Sequence, residues 1–252
     1  MNHQLTTTIS IAGHDASGGA GILADVKTFE QCGVHGFGVV SALTFQNDVE
    51  FEGVDWIAPE KIIRQTELLL RRFKVQYVKI GLIEDLDVLQ EIVGYLQQHI
   101  EQVRIIFDPV LKASAGYAFH GADFAARLQN IMPALYCITP NIPEAKTLFG
   151  ENMLHQTLQN QPSNIYLKGG HTEEDIINDY LFTHDNEYRF FNKKIPNGEK
   201  HGSGCVLSAA LTAYLALGMD IVTASRMANQ YTQRFLASNP SLLGHHQISY
   251  EL

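Results

Sequence analysis

Short apolar runs alternate with helix-period segments from one end of this chain to the other, and no other feature restricts its fold as much. Residues 7–12, 38–45, 77–80, 103–107, 136–139 and 164–167 have the composition of buried strands. Between them, 18–31, 58–73, 86–99 and 143–149 carry apolar residues at helical spacing, with Ile62, Ile63, Leu69 and Leu70 marking one apolar side. That βαβα order predicts a three-layer α/β/α sandwich, its central sheet mostly parallel and covered by helices on both faces. Beyond Lys168 the pattern changes. Residues 179–183 and 188–191 flank the turn-forming His184-Asp185-Asn186-Glu187 and predict an antiparallel hairpin, followed by helices over 204–217 and 221–237. With 252 residues, 45% of them hydrophobic, and no linker or internal repeat, residues 1–252 read as one domain.

The net charge of −9 argues against non-specific nucleic-acid binding, which needs a basic surface. It leaves nucleotide binding open, because backbone N–H groups and a metal ion hold phosphates on an acidic protein. Cys32, Cys137 and Cys205 are odd in number and lack CxxC spacing, which fits free thiols in a reducing cytoplasm. Residues 1–10 lack a signal-peptide pattern, and no run approaches the ~18 apolar residues of a membrane span. The expectation is a soluble, cytoplasmic protein.

In open α/β sheets, ligands bind beyond the carboxyl ends of the strands. Polar or glycine-rich segments follow the expected strands at 13–21, 46–48, 79–81, 108–109, 140–141 and 168–171. A further one, His201-Gly202-Ser203-Gly204-Cys205, opens a helix in which Val206, Leu207, Ala210, Leu211, Tyr214 and Leu215 share a face. A glycine turn at a helix start presents unpaired N–H groups and the positive end of the macrodipole, a site for phosphate. Cys205 lies in that first turn, where the same field lowers a thiol pKa, in strong cases to roughly 3.5–7.5. An anion cradle beside a poised thiol points to phosphoryl transfer with Cys205 as base. The same residues also suit an ordinary glycine-rich helix start with a buried cysteine.

The other segments carry weaker signals. Gly13-His14-Asp15-Ala16-Ser17-Gly18-Gly19-Ala20-Gly21 lacks both the Lys-Ser/Thr ending of a P-loop and the third glycine of a dinucleotide fingerprint. It is either a plain strand-to-helix turn or a substrate loop, with Asp25 one turn into the helix and within reach of a bound hydroxyl. Asn141 and Glu144 have capping-box spacing. Asp108 and Glu144, brought to one sheet edge, also match the one or two carboxylates that Mg²⁺ prefers. Lys168-Gly169-Gly170 suits a phosphate contact or a simple turn. His14, His120, His171 and His201 fall in expected loops without metal-ligand spacing and read as loop polar groups.

Taken in order, these segments resemble the ribokinase-like superfamily, and within it the hydroxymethylpyrimidine and phosphomethylpyrimidine kinases of thiamine biosynthesis. The resemblance runs through residues 9–25, Ala42-Leu43-Thr44-Phe45-Gln46-Asn47, Asp108-Pro109-Val110, Thr139-Pro140-Asn141-Ile142-Pro143-Glu144-Ala145, Lys168-Gly169-Gly170-His171 and the His201–Cys205 turn. It implies an α/β/α sandwich that dimerises. It casts Cys205 as base, Gly202, Ser203 and Gly204 with Cys205 as the anion hole, and Asp108 and Glu144 as Mg²⁺ residues. Asn141, Lys168 and Gly170 would serve ATP, while Asp25, Gln46, Gly13 and Leu82 would hold the pyrimidine. A carboxamide at Gln46 offers an acceptor and two donors, matching an aminopyrimidine edge in the way Gln reads adenine. The chain departs from the family at Ser203 and Val206, where Thr is common, at Ser114, where a lysine is usual, and in a shortened stretch near 151–161.

The implied activity is ATP- and Mg²⁺-dependent phosphorylation of 4-amino-5-hydroxymethyl-2-methylpyrimidine and of its monophosphate. Pyridoxal kinase chemistry on the same fold is the nearest alternative, and a non-catalytic vitamin-binding sensor is an alternative of another class.

Overall fold

The computed structural model describes residues 5–111, 124–151, 153, 155–170, 176–196 and 198–246. The altered segment around Lys112 and Ser114, together with His120 and His171, lies outside the described residues. In chain order the strands are β1 (Thr7–Asp15), β2 (His35–Gln46), β3 (Phe51–Trp56), β4 (Tyr77–Ile80), β5 (Arg104–Phe107), β6 (Cys137–Ile138), β7 (Asn164–Leu167), β8 (Ile176–Phe182) and β9 (Glu187–Lys193). The helices are α1 (Gly21–Gln31), α2 (Pro59–Leu70), α3 (Leu86–His99), α4 (Phe124–Ile131), α5 (Ile142–Phe149), α6 (His155–Gln159), α7 (Ser203–Ala216) and α8 (Ile221–Leu236).

The nine strands among the described residues form one sheet in the order β3-β2-β1-β4-β5-β6-β7-β8-β9. β2, β1, β4, β5, β6 and β7 run parallel, while β3 at one edge and the β8–β9 hairpin at the other are antiparallel. Alternation along each strand divides its side chains between two cores. Ile105, Phe107, Ile138, Ile165 and Leu167 face one core with α2 to α5, whereas Ile106, Cys137 and Tyr166 face the other with α1, α7 and α8. The three-layer sandwich is therefore present.

Three local expectations change. β3 has no fully buried residue, and Glu52 and Asp55 interrupt its apolar pattern, so its sequence carries little strand signal. Its edge position explains this: it pairs with β2 on one side and packs no core of its own. β1 runs on through His14, which is thus a strand residue and not a loop one. α7 is not amphipathic. Every residue from 206 to 215 is buried, as expected of a helix enclosed on all sides.

Helix starts follow ordinary capping chemistry. Asp85 accepts from the N–H groups of Asp87 (2.8 Å) and Val88 (2.9 Å) at the start of α3. Replacing this cap with alanine strands two donors, so Asp85→Ala lowers stability by about 1 kcal/mol. Urea denaturation measures this; an unchanged midpoint would remove the cap from the account.

Candidate active site

The carboxyl ends of β1, β4, β5, β6 and β7 and the start of α7 surround one cavity of about 750 Å³. Its wall includes twelve of the thirteen residues expected from the sequence: Gly13, Gln46 and Leu82 on one flank, Asp108, Asn141, Glu144, Lys168 and Gly170 on another, and Gly202, Ser203, Gly204 and Cys205 across the top of α7. Asp25 is the exception. Its side chain is fully buried, and Oδ2 accepts from Ser10 Oγ (2.5 Å) and Lys79 Nζ (2.7 Å). Asp25 therefore holds Lys79, which does line the cavity, and is itself set behind the wall.

The α7 turn is shaped by backbone against backbone. Gly202 is left-handed at φ 75°, and a Cβ there would lie 2.0 Å from the Gly19 carbonyl oxygen. Only glycine fits both conditions. The first intrahelical bond runs from Val206 N–H to Gly202 O; the N–H groups before it are those an α-helix leaves without an intrahelical acceptor. A buried clasp fastens the two glycine segments. Asp15 Oδ2 accepts from His201 Nε2 (2.9 Å) and Ala20 N–H (2.8 Å), while Oδ1 accepts from Ser17 N–H (2.9 Å). Burial pushes the Asp15 carboxyl up, but these hydrogen bonds outweigh it and hold the group below its ordinary value. His201, expected as a loop polar group, is in a turn, yet buried and paired.

The charges beneath the cavity alternate. Asp108 Oδ1 accepts from Lys168 Nζ (2.8 Å) and Thr139 Oγ1 (3.0 Å), and Oδ2 accepts from Ser208 Oγ (3.1 Å). Burial alone would raise the Asp108 carboxyl; the ammonium groups of Lys168 and Lys79 bring it below the ordinary range. Lys168 also lies 3.9 Å from Glu144 Oε2. Burial dominates at Glu144 and raises its carboxyl. Asn141 and Glu144 form the anticipated capping box, each side chain bonding the other's backbone N–H at 2.8 Å, so capping and cavity lining coexist. At the far flank Gln46 Nε2 donates to Thr44 Oγ1 (2.9 Å), whose hydroxyl donates to His14 O (2.8 Å). That bond orients the carboxamide, whose oxygen takes no hydrogen bond among the described residues.

One electrostatic expectation is reversed. Enclosure by protein pushes the Cys205 thiol up to about 11, against the lowering effect of Lys79 and of a hydrogen bond from Gly21 N–H. Desolvation thus outweighs these lowering influences, and the expected low pKa at the helix start is not found. Sequence reasoning also gave no role to Lys79, Asp15 or Ser208. The available signal for Lys79 was a lysine inside the apolar strand Tyr77-Val78-Lys79-Ile80.

Because the thiol is protonated at neutral pH, its alkylation rate rises about tenfold per pH unit from 7 to 10 as the thiolate fraction grows. Iodoacetamide labelling followed at the Cys205 peptide measures this. A rate plateau near neutrality would restore the activated thiol.

The phosphomethylpyrimidine kinase family profile matches residues 15–250. A hydroxymethylpyrimidine/phosphomethylpyrimidine kinase of Staphylococcus aureus strain Mu50 is 31% identical over 246 residues, covering 93% of this chain and 89% of that protein. The crystal structure of a phosphomethylpyrimidine kinase from Clostridium difficile 630 superposes with a TM-score of 0.74 at 32% identity, covering 90% of this chain and 97% of the other. The Staphylococcus aureus pyridoxal kinase in complex with AMP-PCP and pyridoxal superposes with a TM-score of 0.84 at 21% identity, covering 96% and 93%, and shares the fold. Sequence and fold agree over most of the length: the chain belongs to the phosphomethylpyrimidine kinase family, on a ribokinase-like fold.

Proposed function

We propose that this chain transfers the γ-phosphoryl group of ATP to the hydroxymethyl oxygen of 4-amino-5-hydroxymethyl-2-methylpyrimidine, and then phosphorylates the resulting monophosphate. The observation that carries this reading is the placement of an oriented carboxamide, Gln46, and the glycine turn before Cys205 on the wall of one cavity. Gln46 matches the amino group and ring nitrogen of the pyrimidine, while Gly13 and Leu82 shape the pocket beside it. Family membership and the 32% identity to a phosphomethylpyrimidine kinase structure favour the pyrimidine over pyridoxal. The higher superposition with pyridoxal kinase, at 21% identity, speaks to the fold alone.

Phosphoryl transfer passes through a loose transition state whose charge spreads over the phosphoryl oxygens, so positioning and electrostatics matter most. The backbone of Gly202, Ser203, Gly204 and Cys205 faces that charge. Lys168 and Gly170 meet the nucleotide phosphates with Asn141 beside them. The donor set fits Mg²⁺, which favours one or two carboxylates with phosphate oxygens and water completing its shell. Asp108 and Glu144 are those carboxylates, directly or through water; the ion would neutralise phosphate charge. Cys205 takes the hydroxyl proton in its thiolate form. With its thiol held at about 11, this form is scarce at neutral pH and correspondingly basic.

No helix among the described residues is long and apolar enough to cross a membrane. Free thiols at Cys32, Cys137 and Cys205 fit a reducing compartment, which supports a cytoplasmic setting. Leu43, Phe45 and Val49 are exposed on and beside β2, which supports assembly as a homodimer.

An ADP-release assay with ATP and Mg²⁺ tests the substrate directly. Both the pyrimidine and its monophosphate are expected to turn over faster than pyridoxal; turnover of pyridoxal alone would make this a vitamin B6 kinase. Cys205→Ala is expected to lose about 10²–10⁴-fold in kcat with pyrimidine affinity retained, the usual contribution of a general base. Wild-type kcat in that variant would end the base assignment.

A further inference from the structure

The chemistry assigned so far leaves one buried ion pair unused. Lys79, in the middle of a short parallel strand, and Asp25, on α1, are both fully buried, with Nζ 2.7 Å from Oδ2. Ser10 Oγ donates to the same oxygen at 2.5 Å. The other oxygen, Asp25 Oδ1, is buried with no hydrogen-bond partner among the described residues. A pair retained for stability alone would be expected to satisfy both oxygens, since enclosed charges recover their desolvation cost only when fully bonded. Room for the ammonium is also kept open: a Cβ on Gly81 would lie 2.8 Å from Nζ.

The pair lies on the active-site side of the sheet. Lys79 lines the same cavity wall as Cys205, and Asp25 does not. Lys79 from β4, Asp108 beyond β5 and Lys168 beyond β7 share the cavity wall with Cys205, and their charges, with that of Asp25 behind Lys79, act on its thiol. Lys168 is bonded to Asp108 and shared with Glu144. Lys79, bonded to the single carboxylate Asp25, is the cation with the largest lowering effect on the sulfur. Burial works against its charge, but Asp25, Cys205 and Asp108 outweigh it and keep it an ammonium.

We propose that Lys79, held by Asp25, is a positioning residue for proton transfer, supplying the fixed positive charge against which Cys205 carries its thiolate. This rests on the Cys205 base reading above. In the step it serves, the substrate O–H bond breaks and the proton joins a sulfur lone pair. The freed oxygen pair forms the new bond to the γ-phosphorus. The bond from that phosphorus to its bridging oxygen breaks, and its electron pair leaves with ADP. The thiol so formed returns its proton to solvent. Lys79 touches none of the reacting atoms; it acts through the sulfur.

The neutral double variant Lys79→Met/Asp25→Asn tests this, since it removes the pair without stranding one charge. Thermal melting is expected to match or exceed that of the unmodified protein, and calorimetry is expected to show pyrimidine affinity within a few-fold. Its kcat is expected to fall roughly 10–100-fold, the order a charged neighbour supplies in a partly screened site. Placed on Cys205→Ala, the same two substitutions are expected to cost nothing further, because both act through one step. Unchanged kcat in the double variant overturns the proposal, as does a full loss that persists without Cys205. Lost pyrimidine affinity with unchanged kcat also overturns it, by putting Asp25 on the substrate. Failure of the underlying reading shows separately, as a Cys205→Ala protein that works at the wild-type rate.

Discussion

The site is organised around a backbone contact in which no side chain can take part. Gly202 presses against the Gly19 carbonyl so closely that a Cβ would stand 2.0 Å from it, and a Cβ on Gly21 would stand 2.1 Å from the Gly13 carbonyl. These contacts bring the starts of α1 and α7 to the same end of the sheet. The Asp15–His201 pair then ties one segment to the other across a sequence separation of 186 residues. The pocket flank near Gly13 and the glycine turn before Cys205 are consequently tied together, although the chain visits nearly every other element between them.

Below that unit, the site stores charge in an alternating row. Asp25, Lys79, Asp108, Lys168 and Glu144 come from or just beyond α1, β4, β5, β7 and α5, so parallel strand ends set their order. Each buried carboxylate of this row has a lysine neighbour. The cations are shared, however: Lys168 serves two carboxylates, and Asp108 draws on both lysines. On the function proposed above, such a row would complement a ligand that brings both anionic phosphate and a divalent cation, and two carboxylates would suit an ion that arrives with its nucleotide.

Much of the site was legible in the primary sequence because its residues follow strands and open helices. Gly13, Gln46, Asp108, Asn141 and Lys168 each sit where an apolar run ends, and the parallel topology sends such ends to one edge; Gly202 was readable as the glycine that opens a helix. The Asn141–Glu144 box was likewise readable, because capping depends on a spacing of three residues. Features that depend on distant neighbours were not. β3 has weak strand character and owes its pairing to β2. His14 and His201 looked equivalent as loop polar residues, whereas one extends a strand and the other is buried against Asp15.

Alternation of apolar runs with helical periods determined the α/β/α architecture, and glycine and capping patterns determined where its ligand-binding edge lies, since both are local properties of consecutive residues. The state of Cys205 was decided by tertiary structure. Its place at a helix start predicted a lowered pKa, but enclosure among neighbouring elements costs the thiolate more than Lys79 and the Gly21 N–H return, and the thiol is held up to about 11. The pairing of Asp25 with Lys79 was decided in the same way: 54 residues separate them in sequence, and only the packing of α1 against the sheet brings one charge to the other.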